Sequence, residues 1–216
     1  MTFDSALTLA AGTVVVSAVV VLWLTSVHAV IRVVAIQGFA LGAVALILGL
    51  RHHDVGLVAT AVVVVLLKGV AIPFLLGRTG DEGRPQRESR PLVNVPASLV
   101  AAAVLIIVAF LTTRSLGRFV GTGAGALVPV GVATLLIGFF VLITRRLLVF
   151  QIVGLLMVDN GIALVAFLST AGVPFLIELG VSLDVLLGIM VLMVLTRRLR
   201  SEFGHVDLDE LRELRD

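Results

Sequence analysis

Seven long apolar runs limit what this chain can fold into. They cover residues 7–25, 29–50, 55–77, 95–113, 124–144, 147–170 and 175–196. A helix of about 20 apolar residues crosses the hydrocarbon core of a bilayer, which is about 30 Å thick. The breaks between the runs hold turn-forming or charged residues, which are typical of helix ends. The sequence therefore predicts an all-α, polytopic membrane protein with about seven transmembrane helices.

The composition agrees with a membrane protein and excludes several kinds of site. Hydrophobic residues make up 59% of the chain and charged residues 14%, whereas a soluble domain carries about 25% charged residues. The chain contains no cysteine, which excludes disulfides, thiolate metal sites and Cys-ligated iron–sulfur clusters on this chain. The four histidines show no metal-ligand spacing. We expect no catalytic site, no bound metal and no cofactor.

The arginines predict the orientation of the chain. Nine lie in breaks on one side of the predicted membrane and three in breaks on the other. The nine are Arg78, Arg84, Arg87, Arg90, Arg145, Arg146, Arg197, Arg198 and Arg200, and the three are Arg51, Arg114 and Arg118. Positive residues concentrate on the cytoplasmic side. We therefore expect a multi-pass protein of the plasma (inner) membrane with its amino terminus outside and its carboxyl terminus in the cytoplasm. Arginine clusters of this kind indicate topology and not nucleic-acid binding.

A polar loop divides the predicted helices into two groups. We expect a three-helix membrane unit at 1–77, a cytoplasmic loop at 78–94, a linking helix and loop at 95–121, a second three-helix unit at 122–200 and a cytoplasmic tail at 201–216. An alignment of the two halves that pairs Gly38 with Gly154 also pairs Lys68 with Asp184. This alignment suggests a parallel repeat of three-helix units, an arrangement found in transporters.

Two carboxylates, Asp159 and Asp184, lie at matching depth in the last two predicted helices. Each is separated from a flanking arginine, Arg146 or Arg197, by the same stretch of chain. That stretch is about 13 residues, or roughly 20 Å of helix, which places both acids near the middle of the membrane. Exposing a carboxylate to lipid at that depth costs free energy, so both side chains must face protein or water. They are candidates for a proton or ion pathway, or for structural hydrogen bonds between helices.

Lys68 is the only lysine and is also predicted to lie deep in the membrane. It precedes Arg78 by ten residues, which is about 15 Å along a helix. A buried ammonium can carry protons or balance a buried acid, and a structural ion pair with an aspartate is the alternative.

Other residues support the predicted pathway less directly. Glu178 falls near the outer interface, as an entrance to the pathway or as an interfacial anchor. Arg32 lies near the cytoplasmic end of its helix, where such side chains extend to the interface. Asn160 can bond the neighbouring acid in either protonation state, and Gly188 permits close helix approach. Gly154 is the glycine that the repeat pairs with Gly38.

Several segments resemble known families. RRLLVFQIVGLLMVDNGIALVAF, a carboxylate helix ending in TRRLR, and the tail DLDELRELR resemble the three-helix K subunit of respiratory complex I over about residues 144–216. Together with KGVAIP and ELGVSLDVLLG, the whole chain more closely resembles hydrogenase-4 component E. That family supplies a membrane subunit of formate hydrogenlyase-type nickel–iron hydrogenase complexes, and it is similar to the antiporter C subunit.

The resemblance implies roles for individual residues. Asp184, with Gly188 after it, matches the second buried glutamate of the K subunit. The position of the first glutamate is Leu156, and Asp159 lies one helical turn further on the same face. In component E the acid is usually a glutamate before Asn-Gly, so Asp159 in the Asp-Asn-Gly segment fits with a shorter side chain.

The resemblance also implies a function. We expect a membrane subunit of a complex I-like hydrogenase that carries protons or sodium ions through Asp159, Asp184, Lys68 and Glu178. Its partners would be other membrane subunits, the lipid bilayer and, indirectly, cytoplasmic redox subunits, and not nucleic acid. The alternatives are a subunit of a cation/proton antiporter complex, a stand-alone proton-coupled transporter and a membrane scaffold for assembly.

Overall fold

The structure, a computed structural model, describes residues 3–80, 92–119 and 123–170, which form helices without strands. The helices are α1 (Phe3–Trp23), α2 (Val27–His52), α3 (Val55–Val64), α4 (Ile72–Gly80), α5 (Val95–Phe119), α6 (Val128–Thr144) and α7 (Leu148–Thr170). A π-helical segment (Val65–Ala71) joins α3 to α4, and a 3₁₀ turn (Gly123–Leu127) precedes α6. The all-α prediction is confirmed.

Six of these helical stretches are long and apolar enough to cross a membrane. They correspond to the first six predicted runs, and α3, the π-helical segment and α4 together form the third span (Val55–Arg78). The predicted seventh run, which contains Glu178, Asp184 and Gly188, lies outside the described residues. All the described helices belong to one compact unit. The predicted three-helix units and their repeat stay predictions.

Contacts at the helix ends show that α2 runs opposite to α1 and that α6 ends on the same side as α1. Near the start of α1, Asp4 forms an ion pair with Arg51 at the end of α2, 2.5 Å between Oδ1 and Nη1. At the opposite end of α1, Arg145 Nη2 donates a hydrogen bond to the carbonyl of Leu22 at 2.5 Å. Arg145 follows α6 and is only 3% exposed. Its positive charge lies where the dipole of α1 is negative, which favours this contact.

Glycines bring α6 and α7 into backbone contact. A Cβ atom added to Gly138 would lie 2.7 Å from Val158 N, and one added to Gly154 would lie 2.7 Å from Leu142 N. Gly161 faces Leu135 in the same way, 2.6 Å from its backbone nitrogen. In lipid, helix association depends on such close packing because water exclusion contributes little between apolar helices. These glycines therefore fix the position of α7, which carries Asp159.

The glycine contact generates a stability prediction. We expect Gly161→Ala to force α6 and α7 apart and to destabilise the protein by about 1–3 kcal/mol, the usual cost of overpacking. The matched control is Gly12→Ala, because a Cβ atom at Gly12 meets no atom within 4 Å. Thermal unfolding of both variants in detergent measures the difference. Equal melting temperatures for Gly161→Ala and Gly12→Ala would contradict the role of the contact.

Candidate functional site: a buried polar layer

Lys68 and Asp159 form an ion pair inside the helix bundle. Lys68 Nζ lies 2.7 Å from Asp159 Oδ2, and the two side chains are 3% and 9% exposed. The pair joins the third span to α7. Lys68 therefore does not extend to the membrane surface, and its charge is balanced at depth. Both interpretations of the sequence, a counter-charge in a proton path and a structural ion pair, predict this contact.

The backbone around Lys68 is unusual and explains how the side chain is placed. Lys68 is the central residue of the π-helical segment, and Ile72 N donates to Leu67 O, five residues back. Pro73 follows at once, and in an α-helix a proline ring clashes with the carbonyl four residues earlier. A π-helical turn widens the helix at that point and relieves the clash.

A glycine in α2 allows the π-helical segment to approach closely. A Cβ atom added to Gly38 would lie 2.6 Å from both the carbonyl carbon and the carbonyl oxygen of Lys68. Backbone atoms cannot move aside as a flexible side chain could. Only glycine at this position lets the Lys68 backbone lie against α2, and this contact sets where the lysine side chain begins.

A chain of hydrogen bonds links α7 to α2 and α1 beside the ion pair. Asn160 Nδ2 donates to Gln37 Oε1 at 3.0 Å. Gln37 Nε2 in turn donates to the backbone carbonyl of Val14 at 3.0 Å. Gln37 is 1% exposed and Asn160 2%. Neighbouring residues on a helix point about 100° apart, so Asp159 reaches the third span while Asn160 reaches α2.

All these groups lie at about the same depth. Asp159 is the central residue of α7, and Asn160 follows it. Val14 adjoins the centre of α1, and Gln37 lies close to the middle of α2. At about 1.5 Å per residue, each position is roughly 14–17 Å from the nearer end of its helix. We call this set the mid-depth polar layer, which spans four helices and consists of Val14, Gln37, Asn160, Asp159 and Lys68.

The remaining predicted site residues lie elsewhere. Arg32 is exposed on α2, near its amino-terminal end. Gly154 packs against Gly138 and Leu142 of α6. Among the described residues no group of His, Cys, Asp or Glu could hold a metal ion.

Sequence reasoning missed Gln37. It lies in the run VVAIQGFALG, directly before Gly38. A carboxamide in the middle of an apolar span is costly unless it is hydrogen-bonded. The position of this uncharged polar side chain in the middle of an apolar run is the sequence signal that identifies Gln37.

Comparison with known proteins places the chain in a family. It is 46% identical over 208 residues to the uncharacterized protein Rv0085 of Mycobacterium tuberculosis, covering 96% of this chain and 94% of that protein. The chain belongs to the Rv0085 family. No family model matches this member of the Rv0085 family, and no solved structure matches it.

The Rv0085 family member is also similar to a hydrogenase subunit. It is 26% identical over 118 residues to hydrogenase-4 component E of Escherichia coli, covering 55% of this chain and 54% of the relative. The protein of that name in Shigella flexneri matches equally well. The similarity to component E is thus distant and spans about half of each chain. The resemblance of residues 144–216 to the K subunit stays a prediction.

The ion pair generates a second stability prediction. Removing one partner of a buried pair leaves an uncompensated charge and costs about 3–5 kcal/mol, whereas replacing both is often neutral. We expect Lys68→Met and Asp159→Asn each to lower the unfolding temperature in detergent. The double variant should lie closer to the wild type than either single variant. Additive losses in the double variant would show that the two charges do not stabilise one another.

Proposed function

We propose that this protein is a membrane subunit of a complex I-like, hydrogenase-4-type complex and that its mid-depth polar layer forms part of an ion path. The observation that carries the proposal is the buried ion pair between Lys68 and Asp159. The distant similarity to hydrogenase-4 component E supports the type of complex. The redox chemistry belongs to partner subunits, because this chain has no cysteine to bind an iron–sulfur cluster.

The pair can transfer a proton internally with no change in its net charge. A proton moving from the Lys68 ammonium to the Asp159 carboxylate leaves a neutral amine and a neutral carboxylic acid, and the reverse step restores the ion pair. At 2.7 Å between Nζ and Oδ2 the proton needs no intervening water. Both forms of the pair are neutral overall, so neither leaves a net charge in a medium of low dielectric constant.

Two predicted acids would extend the proton transfer between Lys68 and Asp159 into a path. Asp184, predicted at the same depth on the following helix, would be the second carboxylate, and Glu178 would lie toward the outer interface. Conformational change in a partner subunit would alter the balance between the ionised and neutral pair. The same charges would serve a proton or a sodium ion, and direct measurement of proton release and sodium uptake distinguishes the two.

Three alternative functions differ in the structural features that they require. A stand-alone proton-coupled transporter needs a polar substrate cavity. One groove between α2 and the third span, about 290 Å³, is lined by apolar residues such as Phe39, Ala61 and Val65 and does not suit a polar substrate. An assembly scaffold needs the ion pair only to hold helices together. A subunit of a cation/proton antiporter complex shares the proposed chemistry and differs in its partners.

The double variant Lys68→Met/Asp159→Asn separates transport from structure. We expect the complex that carries it to assemble, because both charges are gone, and to lose ion translocation, because the exchangeable proton is gone. The measurement is redox-driven acidification in inverted membrane vesicles, with assembly checked by co-purification of the nickel- and iron-containing partners. Normal translocation in an assembled complex would contradict the proposal, and failed assembly would favour the scaffold.

The proposed orientation is tested with single cysteines, since the natural chain has none. Leu92 is 56% exposed beside the end of α6, and His52 is exposed at the opposite face. In sealed cells we expect a membrane-impermeant maleimide to label His52→Cys and to leave Leu92→Cys unlabelled until the membrane is opened. The reverse pattern would place the amino terminus in the cytoplasm.

A further inference from the structure

The hydrogen bonds of the mid-depth polar layer have a fixed direction. A backbone carbonyl can only accept, so the Gln37 group that faces Val14 O must be its NH₂. The Gln37 carbonyl oxygen then faces α7 and can only accept from the NH₂ of Asn160. The orientation of both amides therefore follows from this one carbonyl, which removes the usual ambiguity between the nitrogen and oxygen ends of an amide.

This direction leaves one amide oxygen of the mid-depth polar layer without a donor. Asn160 Oδ1 is buried and receives no hydrogen bond from any side chain or backbone group in the described part of the chain. A buried carbonyl oxygen without a donor is destabilising, because it has lost its hydrogen bonds to water. Such groups are commonly satisfied by an ordered water molecule, which itself needs two to four polar partners.

We propose that Asn160 Oδ1 binds a water molecule within the mid-depth polar layer and that Gln37 is the positioning residue that keeps this oxygen available. Asn160 directly follows Asp159 on α7, so the proposed water site lies at about the depth of the ion pair. Gln37 acts through Asn160: while it holds the NH₂, the amide cannot rotate and the oxygen cannot turn away.

The identity of the ligand follows from the charges around the site. An acceptor oxygen could also bind a metal cation, but the Lys68 ammonium 2.7 Å from Asp159 already supplies the positive charge that this carboxylate would need. A neutral hydrogen-bond donor satisfies Asn160 without adding charge. Use of this water in ion transfer rests on the proposed function, whereas its binding does not.

The sequence makes the test selective. Asparagine occurs only at positions 94 and 160, so labelling asparagine with ¹³C and ¹⁵N gives two side-chain signals from the full chain in lipid bilayers. Asn94 is exposed at a helix end and serves as the hydrated reference. In water-edited solid-state NMR we expect magnetisation from water to reach the Asn160 carbonyl as well as Asn94. Transfer to Asn94 alone would overturn the water site.

Variants of glutamine test the positioning role. In Gln37→Met the Asn160 amide loses its fixed partner, and we expect its NH₂ signal to broaden or shift and the water transfer to fall several-fold. The control is Gln151→Met, since Gln151 Nε2 donates to Arg145 O at 3.2 Å near the start of α7, away from the layer. Unchanged Asn160 signals in Gln37→Met, or equal changes in both variants, would overturn the role of Gln37.

Two further readouts keep this proposal separate from the proposed function. A shift of the Asn160 carbonyl signal when sodium replaces potassium in the buffer would identify a cation at the site and overturn the water assignment. No shift supports a neutral donor. The NMR signals are read on the chain whether or not it transports ions, so loss of transport in the Lys68 and Asp159 variants leaves this test unaffected.

Discussion

Charge balance at the centre of an apolar bundle is the constraint on which the site depends. A lone ammonium or carboxylate at this depth would cost several kcal/mol. The 2.7 Å contact between Lys68 and Asp159 reduces that cost by keeping opposite charges together. It also requires the third span and α7 to be held in register, because a shift of one helical turn, about 5.4 Å, would separate the charges.

Glycine packing supplies this register. Gly161 and Gly138 bring α6 and α7 into backbone contact, and Gly38 does the same for α2 and the π-helical segment at Lys68. A larger residue at these positions would clash with backbone atoms of the neighbouring helix. A change of side-chain rotamer could not remove that clash, so the helices would have to move apart. The close backbone contacts at these glycines therefore determine where the residues of the mid-depth polar layer lie.

Much of this fold follows from the sequence, and the limits of the prediction have physical causes. Apolar run length predicts the six described spans, because the bilayer sets helix length. The depth of Lys68 and Asp159 predicts that both are buried, but not that they meet, since helix neighbours depend on packing. Charge alone does not identify Gln37, because its amide is polar but uncharged. Pro73 predicts a disturbance of the helix near Lys68, but not that this disturbance is a π-helical turn, because a proline can also kink or break a helix.

The ion pair and the amide chain of the mid-depth polar layer have different properties. In the proposed ion path, the ion pair exchanges a proton between a charged and a neutral form that have the same total charge. The amide chain from Val14 through Gln37 to Asn160 has no such freedom, because the direction of each hydrogen bond is fixed by the backbone carbonyl at its end. A rigid, uncharged network thus adjoins a titratable pair on successive residues of α7. The proposed ion path would use both properties, because a proton would redistribute at Asp159 while Asn160 keeps its hydrogen bond to Gln37.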